Sequence, residues 1–285
     1  MPGIQTLAAA LVAGTLAVPA SAQPRGVDGA PPPATVRLVS AETALRPGDT
    51  GYLGLLFEIQ DGWHIYWDGI NESGFAPTVE WDAPSGVTVH PILWHAPHRY
   101  VGPGNLLDHV YEGQTLLLVP VEIPADAPPG SLLTFRARVD WLVCKEACLP
   151  GDADLRLTIP VASDASPGEP TEFAQAFEAS RERVPQPWVA GESSVRVDVR
   201  PDAVEILAPG ARTVSYYPQS EAARATDLLR RGQSTQGRLR LELRPEDRGA
   251  LSRDPVVRFV IEADYGAGEP PVLILVEKPL SDLGG

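Results

Sequence analysis

The chain has 285 residues, 44% of them hydrophobic and 21% charged, which specifies a globular protein of one large or two ordinary domains and excludes a disordered one. Its formal net charge of −14 repels phosphate backbones and anionic lipid, so no nucleic-acid partner and no docking on a charged membrane surface is expected. Positive charge is almost all arginine; the only lysines are Lys145 and Lys278.

The first residues, MPGIQTLAAALVAGTLAVPASAQP, hold an apolar run from Leu7 to Val18 and then Ala20-Ser21-Ala22, a small-residue cleavage pattern. Residues 1–22 therefore read as a signal peptide cut after Ala22, although its start lacks Lys and Arg. The run is short for a bilayer span, and no later stretch approaches the ~20 apolar residues a spanning helix needs. The mature chain is expected to be exported and not inserted in a membrane, in a compartment where disulfides form. Residues 23–35, rich in Pro and Gly, read as a disordered lead.

From residue 36 to 162 the pattern changes to short β runs: TVRLVS, YLGLLFEIQ, PTVEW, VTVHPILW, TLLLVPVEI, LLTFRARVDWLVC and DLRLTIPV. Turn signals such as RPGD, APSG and DAPPG separate them. Strands at this density with no helix between them predict an immunoglobulin-like β-sandwich. Residues 163–192 read as a linker and one helix, PTEFAQAFEASRERVP, in which Phe173, Ala176 and Phe177 share a face and Pro185 ends the run. Residues 193–279 predict a second, smaller β-rich domain from SVRVDVR, AVEILA, TVSYYP, RLRLELR, VVRFVIEAD and PVLILVE. One helix interrupts it, SEAARATDLLRRG, with Ser220 as N-cap and Gly232 as C-cap. There is no fixed-period repeat, though two tandem sandwiches fit the pattern.

The two cysteines stand close together in DWLVCKEACLP, as Cys144 and Cys148. A structural staple closing so short a loop adds only about 2 kcal/mol, and a core of this size does not need it. A zinc site requires four ligands. The candidates His64, His90, His95, His98 and His109 all precede the cysteines, and none forms a matching half-site; each reads as a surface or rim residue. Copper(I) binding by thioethers is not available to a chain whose only methionine is Met1. A redox pair is the remaining chemistry. Lys145, between the cysteines, would stabilise a thiolate; Glu146 and Asp140 would oppose that and could move protons during exchange. Trp63, Trp67, Trp81, Trp94 and Trp141 read as core packing rather than a sugar platform.

DWLVCKEACLPGDADLRLTIPV resembles the active-site hairpin of the N-terminal domain of the thiol:disulfide interchange protein DsbD, and more closely its ScsB-like branch. DGWHIYWDGINESGFAPTVEW and LWHAPHRYVGPGNLLDHVYEGQTLLLVPVEI resemble two further blocks of that branch, in the same order, so the resemblance covers about residues 50–162. It implies an immunoglobulin-like domain with Cys144 and Cys148 as a redox-active pair needing no other cofactor and no metal. It implies periplasmic localisation, a membrane electron donor of CcdA or DsbD type, and periplasmic disulfide proteins as recipients. Cytochrome c biogenesis and copper tolerance are processes associated with such relatives. A shielding cap loop would fall in HRYVGPGNLLDH, residues 98–109, with Tyr100 as the shielding aromatic; the acidic residues and Phe of the classical cap are not reproduced, and no acid–base role passes to Asp108. The relatives' membrane and thioredoxin-like domains are not in this sequence, so the donor is expected on a separate polypeptide. The competing reading is a non-catalytic β-sandwich that binds zinc or copper, or binds a partner, with a structural disulfide.

Overall fold

A computed structural model describes residues 31–163, 168–243, 256–266 and 268–283. The expected signal peptide, most of the expected lead, and residues 164–167 lie outside them. Ala34 and Thr35, assigned above to the lead, already belong to the first strand, because Ala34 pairs with Ile59 and buries its methyl in the core.

Alternation in the sequence becomes alternation in burial. In β9 (Leu132–Cys144) Leu133, Phe135, Ala137, Val139, Trp141 and Val143 point inward, while Arg136, Arg138 and Asp140 point out. β9 pairs antiparallel with β10 (Cys148–Pro160) and β4 (Thr78–Asp82) to form one sheet. The facing sheet has the order β1 (Ala34–Ser40), β2 (Thr50–Ile59), β8 (Gln114–Glu122), β5 (Thr88–Val89). Their inner faces share one core, in which Phe57 and Trp141 meet edge to face at 5.7 Å. This is the expected immunoglobulin-like sandwich. Trp67 and Trp141 are buried in it, and Trp63, Trp81 and Trp94 pack against it.

A third sheet was not anticipated. β3 (Ile65–Tyr66), β7 (Leu107–Tyr111) and β6 (His98–Val101) pair in the order β3-β7-β6. The stretch read as a cap loop is therefore a β-hairpin, turned by a 3-10 segment at Pro103–Asn105.

The expected linker is structural. α1 (Ala174–Glu182) lays Phe177 on Val39, Leu56, Leu116 and Leu118 of the first sandwich, and Ser180 Oγ donates to the Leu116 carbonyl at 2.6 Å. Immediately after it, β11 (Gln186–Pro187) pairs in parallel with the last strand, β18 (Val272–Pro279). The β-rich region that follows, expected above as a second domain, is itself two sheets around one core: β11-β18-β17-β14-β15 and β12-β13-β16. The strands not yet placed are β12 (Arg196–Val199), β13 (Ala203–Leu207), β14 (Thr213–Pro218), β15 (Gln233–Ser234), β16 (Arg238–Glu242) and β17 (Val256–Asp264).

The helix expected from Ser220 to Gly232 is broken. Glu221–Ala223 form a 3-10 turn and α2 covers only Leu228–Arg231. Between them Ala225 bridges to Leu243, the Thr226 N–H donates to the Glu242 carbonyl, and Asp227 turns left-handed at φ 52°. Ser220 does not cap a helix; its hydroxyl donates to the Val256 carbonyl and accepts from the Arg258 N–H. Sheet hydrogen bonds outcompete local helix propensity here. Gly232 does stand at the C-cap of α2.

Phe177 is fully buried although it comes from the connecting segment. Phe177→Ala is expected to cost about 3–5 kcal/mol, measured as the loss in urea unfolding free energy of the whole chain. A loss below about 1 kcal/mol would mean that α1 is not part of the first core.

Candidate redox site at the Cys144–Cys148 hairpin

β9 ends at Cys144 and β10 begins at Cys148, so Lys145-Glu146-Ala147 is the whole turn and the two cysteines face each other in register. Their sulfurs are joined in a disulfide, with Cα atoms 4.1 Å apart. Thiolates that could ligate a metal are thus not free in this form, and among the described residues no three His, Cys, Asp or Glu side chains cluster as metal ligands.

Strand parity puts Cys144 on the same outer face as Asp140, which is exposed. Cys144 is nevertheless only 3% exposed. The reason is the third sheet, which lies over this end of β9. His64, just before β3, exchanges two backbone hydrogen bonds with Cys144, each 2.9 Å. The side chains of Tyr66, Val110, Tyr100 and Leu142 then enclose Cys144 in a small apolar cluster separate from the main core. Cys148, on the other limb of the turn, stays exposed.

Tyr66 connects the exposed sulfur to a buried carboxylate. Its hydroxyl lies 3.6 Å from Cys148 Sγ and 3.0 Å from Ser73 Oγ. Ser73 Oγ donates to Asp108 Oδ2 at 2.5 Å, while the Glu72 and Ser73 N–H groups donate to Asp108 Oδ1. Asp108 is 1% exposed, and these three donors replace its lost hydration. Burial raises the Tyr66 phenol above its ordinary range; the Ser73 bond opposes this and the Asp108 charge adds to it. Gly74 makes the ring position possible, since a Cβ there would lie 2.2 Å from the Tyr66 ring.

The segment Asn71-Glu72-Ser73 also completes the edge of β7 where β3 has ended. Asn71 Oδ1 accepts the His109 N–H, and a Glu72 carboxylate oxygen accepts the Leu107 N–H. The main-chain ladder is thereby continued by side chains.

The structure distributes the sequence-predicted residues unevenly. Tyr100 packs on the Cys144 cluster, with its ring 4.4 Å from that of His64. Lys145 is exposed on the turn and lies against Gly62, where a Cβ would be 3.2 Å from its Nζ; Glu146 is exposed beside it. Asp140 is not brought to the sulfurs. It sits four residues down β9, about 13 Å at ordinary strand rise, and pairs with Arg138 at 3.7 Å. Tyr66 and Ser73 were not singled out as site residues, His64 was weighed only as a zinc ligand, and Asp108 was given no acid–base role. The usable signal was the alternation of His64 and Tyr66 in HIYW; the register that sets Asp108 opposite Tyr100 appears only in the structure.

The histidines correct an expectation. His64, His95 and His109 are buried, not at the rim. Desolvation lowers all three imidazoles, the Asp108 charge opposing it at His64. His95 and His109 fall to about 4, each against one backbone hydrogen bond that acts the other way.

An immunoglobulin-like sandwich with a cystine at one end, half covered by a small β cap, is the class these features define. Residues 35–160 match the family described as thiol:disulfide interchange protein DsbD, N-terminal. Its fold is similar to the crystal structure of the N-terminal periplasmic domain of ScsB from Proteus mirabilis, with a TM-score of 0.54 and 16% identity over 86% of this chain and 91% of that one. A protein of unknown function from Porphyromonas gingivalis W83 also matches, at TM-score 0.26 and 14% identity over 87% of this chain and 100% of that one. No curated protein matches. The matched region carries the Cys-x3-Cys pair, whose disulfide at the end of the hairpin is consistent with thiol–disulfide exchange.

The buried imidazoles make stability pH-dependent with a definite sign. Above pH 6.5 they are neutral in both states and their contribution is complete. Between 6.5 and about 4 the unfolded chain takes up protons that folded His95 and His109 refuse, so stability falls as pH falls. Between pH 7 and 4.5 the loss is expected to be about 2–3 kcal/mol per histidine, read from urea unfolding at each pH, and His109→Gln should flatten part of it. A curve that rises toward pH 4.5 would contradict the burial of these rings.

Proposed function

We propose that the protein is a periplasmic thiol–disulfide relay. It would take two electrons from a membrane redox partner of the DsbD or CcdA class and pass them to periplasmic disulfide proteins through Cys144 and Cys148. The observation that carries this reading is the asymmetry of the cystine, with Cys148 in solvent and Cys144 under the cap. The match of residues 35–160 to the DsbD N-terminal family supports it.

In this reading a donor thiolate attacks Cys148 Sγ, the only sulfur of the pair within easy reach. The Cys144–Cys148 bond breaks, Cys144 leaves with the electron pair and takes up a proton, and a mixed disulfide joins the donor to Cys148. A second donor thiol then displaces Cys148, which leaves the donor oxidised and this domain a dithiol. Toward a client the order reverses: the Cys148 thiolate attacks a client sulfur, and Cys144 resolves the mixed disulfide. Ser73 Oγ spends its proton on Asp108 and so accepts from Tyr66 in the disulfide form; when the Cys148 thiolate forms, the Tyr66 hydroxyl would turn its one proton from Ser73 to the sulfur. Lys145 adds positive charge near the turn. Glu146 remains a candidate for proton movement, and Tyr100 for the shield. No organic cofactor enters these steps. The division into residues 36–162 as redox domain and 193–279 as second domain belongs to the same proposal.

Single-cysteine variants test it. Cys144→Ser is expected to accumulate a stable mixed disulfide through Cys148, whereas Cys148→Ser should trap nothing. Accumulation through Cys144 would overturn the assignment. Equilibration with dithiothreitol should place the couple above about −300 mV, and a value well below that would make the bond a structural staple.

Tyr66→Phe should raise the pH at which reduced Cys148 alkylates by about half a unit to one unit, the worth of one hydrogen bond to the thiolate. An unmoved alkylation profile would remove Tyr66 from the chemistry.

A further inference from the structure

The strand that carries Tyr100 has two contrasting faces. In β6 and β7 Tyr100 is in register with Asp108, and Arg99 with His109. Alternation therefore sends the first pair toward the disulfide and the second pair the opposite way. On that opposite side lies the second domain. Arg99 Nη2 donates to the carbonyls of Leu228 and Leu229 in α2, both at 3.1 Å. The guanidinium packs so closely on Gly232 that a Cβ there would come within 2.5 Å of Nη1. His109 meets Tyr217 edge to face at 5.4 Å, and the Ile70 N–H donates to the Pro218 carbonyl at 2.9 Å. The thin cap sheet is thus held between the cystine and the second domain.

The chemistry of Arg99 sets it apart from an ordinary surface cation. Its acceptors are two main-chain carbonyls, no carboxylate pairs with it in the described structure, and Nη1 is buried without a hydrogen-bond partner. Burial lowers its pKa from the ordinary arginine value. Such a placement is costly for a guanidinium: one nitrogen, Nη2, meets both carbonyls while Nη1 goes unpaired, and a lysine in its place would lose the planar packing on Gly232.

We infer that the second domain latches the cap: Arg99 is a positioning residue that holds β6 against α2, keeps Tyr100 packed over Cys144, and so directs exchange to Cys148. The purpose of the latch rests on the thiol–disulfide reading, but its existence does not. It assigns the second domain a role in the selectivity of the redox site, exerted through a strand that contacts both.

The test is alkylation of single-cysteine forms of the full chain by iodoacetamide. In the Cys148→Ser background, Arg99→Ala should raise the labelling rate of Cys144 about tenfold, the shift expected when a charge-assisted hydrogen-bond pair no longer holds the closed cap. Tyr100→Ala should raise it by a similar factor, and the two together by little more than either alone. Arg99→Lys should fall between wild type and Arg99→Ala. In the Cys144→Ser background the labelling of Cys148 should stay within about twofold, because that sulfur is already exposed. Tryptophan fluorescence reports whether each variant is folded; if Arg99→Ala is not, Arg99→Lys carries the test in the same direction.

An unchanged Cys144 rate in the folded Arg99 variant, with an increase in Tyr100→Ala, would overturn the latch: the cap would then close without the second domain. A rise of equal size at both cysteines would also overturn it, as general loosening. Neither result touches the relay reading, which fails separately if the wild-type couple proves too reducing to exchange.

Discussion

The pair of backbone hydrogen bonds between His64 and Cys144 is the constraint on which the rest of the site depends. Cys144 lies on the outer face of its sheet, where a side chain would ordinarily be wet. Tying His64 to that position brings β3 across the end of β9, and two residues later Tyr66 arrives over the turn with its hydroxyl near Cys148. β7 and β6 then follow by sheet pairing. One sulfur is covered and its bonded neighbour is left open, although only three residues separate them in the chain.

Magnitude decides which polar groups matter here. The outer face of β9 and β10 carries Arg138 among Asp140, Asp152 and Asp154, but all are about half exposed or more. Such pairs contribute little, about 0–1 kcal/mol each. The buried groups beneath the cap are different. An unmet donor or acceptor there costs about 1–3 kcal/mol, so Asp108 with its three donors, and the Asn71 and Glu72 side chains on β7, hold the cap's shape more firmly than the more numerous surface ions. The same segment reaches the second domain through Ile70, which places the cap's polar support and its interdomain contact on one short stretch of chain.

Much of the sandwich was legible because β1, β2, β8 and β9 are long runs of β-formers: β9 alternates in burial, while β2 and β8 are continuous apolar blocks covered on both faces, the second by α1. The cysteine pair was legible because two thiols in a short turn admit few chemistries. The cap was not. β3 has two residues and β6 four, below the length at which alternation can be told from chance, and β3 pairs with a segment far away in sequence. The break at Ala225–Asp227 was hidden for a related reason: helix-forming residues were overruled by a bridge to Leu243 that no local pattern reports. Buried histidines escaped because their seclusion comes from neighbours such as Tyr217 and Tyr111, not from adjacent residues. Asp140 looked near the cysteines in sequence, but extended backbone carries it away from them.

α1 is pinned to β8 of the first sandwich, and β11 is hydrogen-bonded to β18 of the second, with only Arg183, Val184 and Pro185 between them. The join has no slack. A swivel between the two halves would have to strip a helix from its seat or peel a strand from a sheet. Mechanically the molecule is one lever rather than two beads on a string. With the cap latched as inferred above, a displacement of the distal half would be passed to the sulfur-bearing tip.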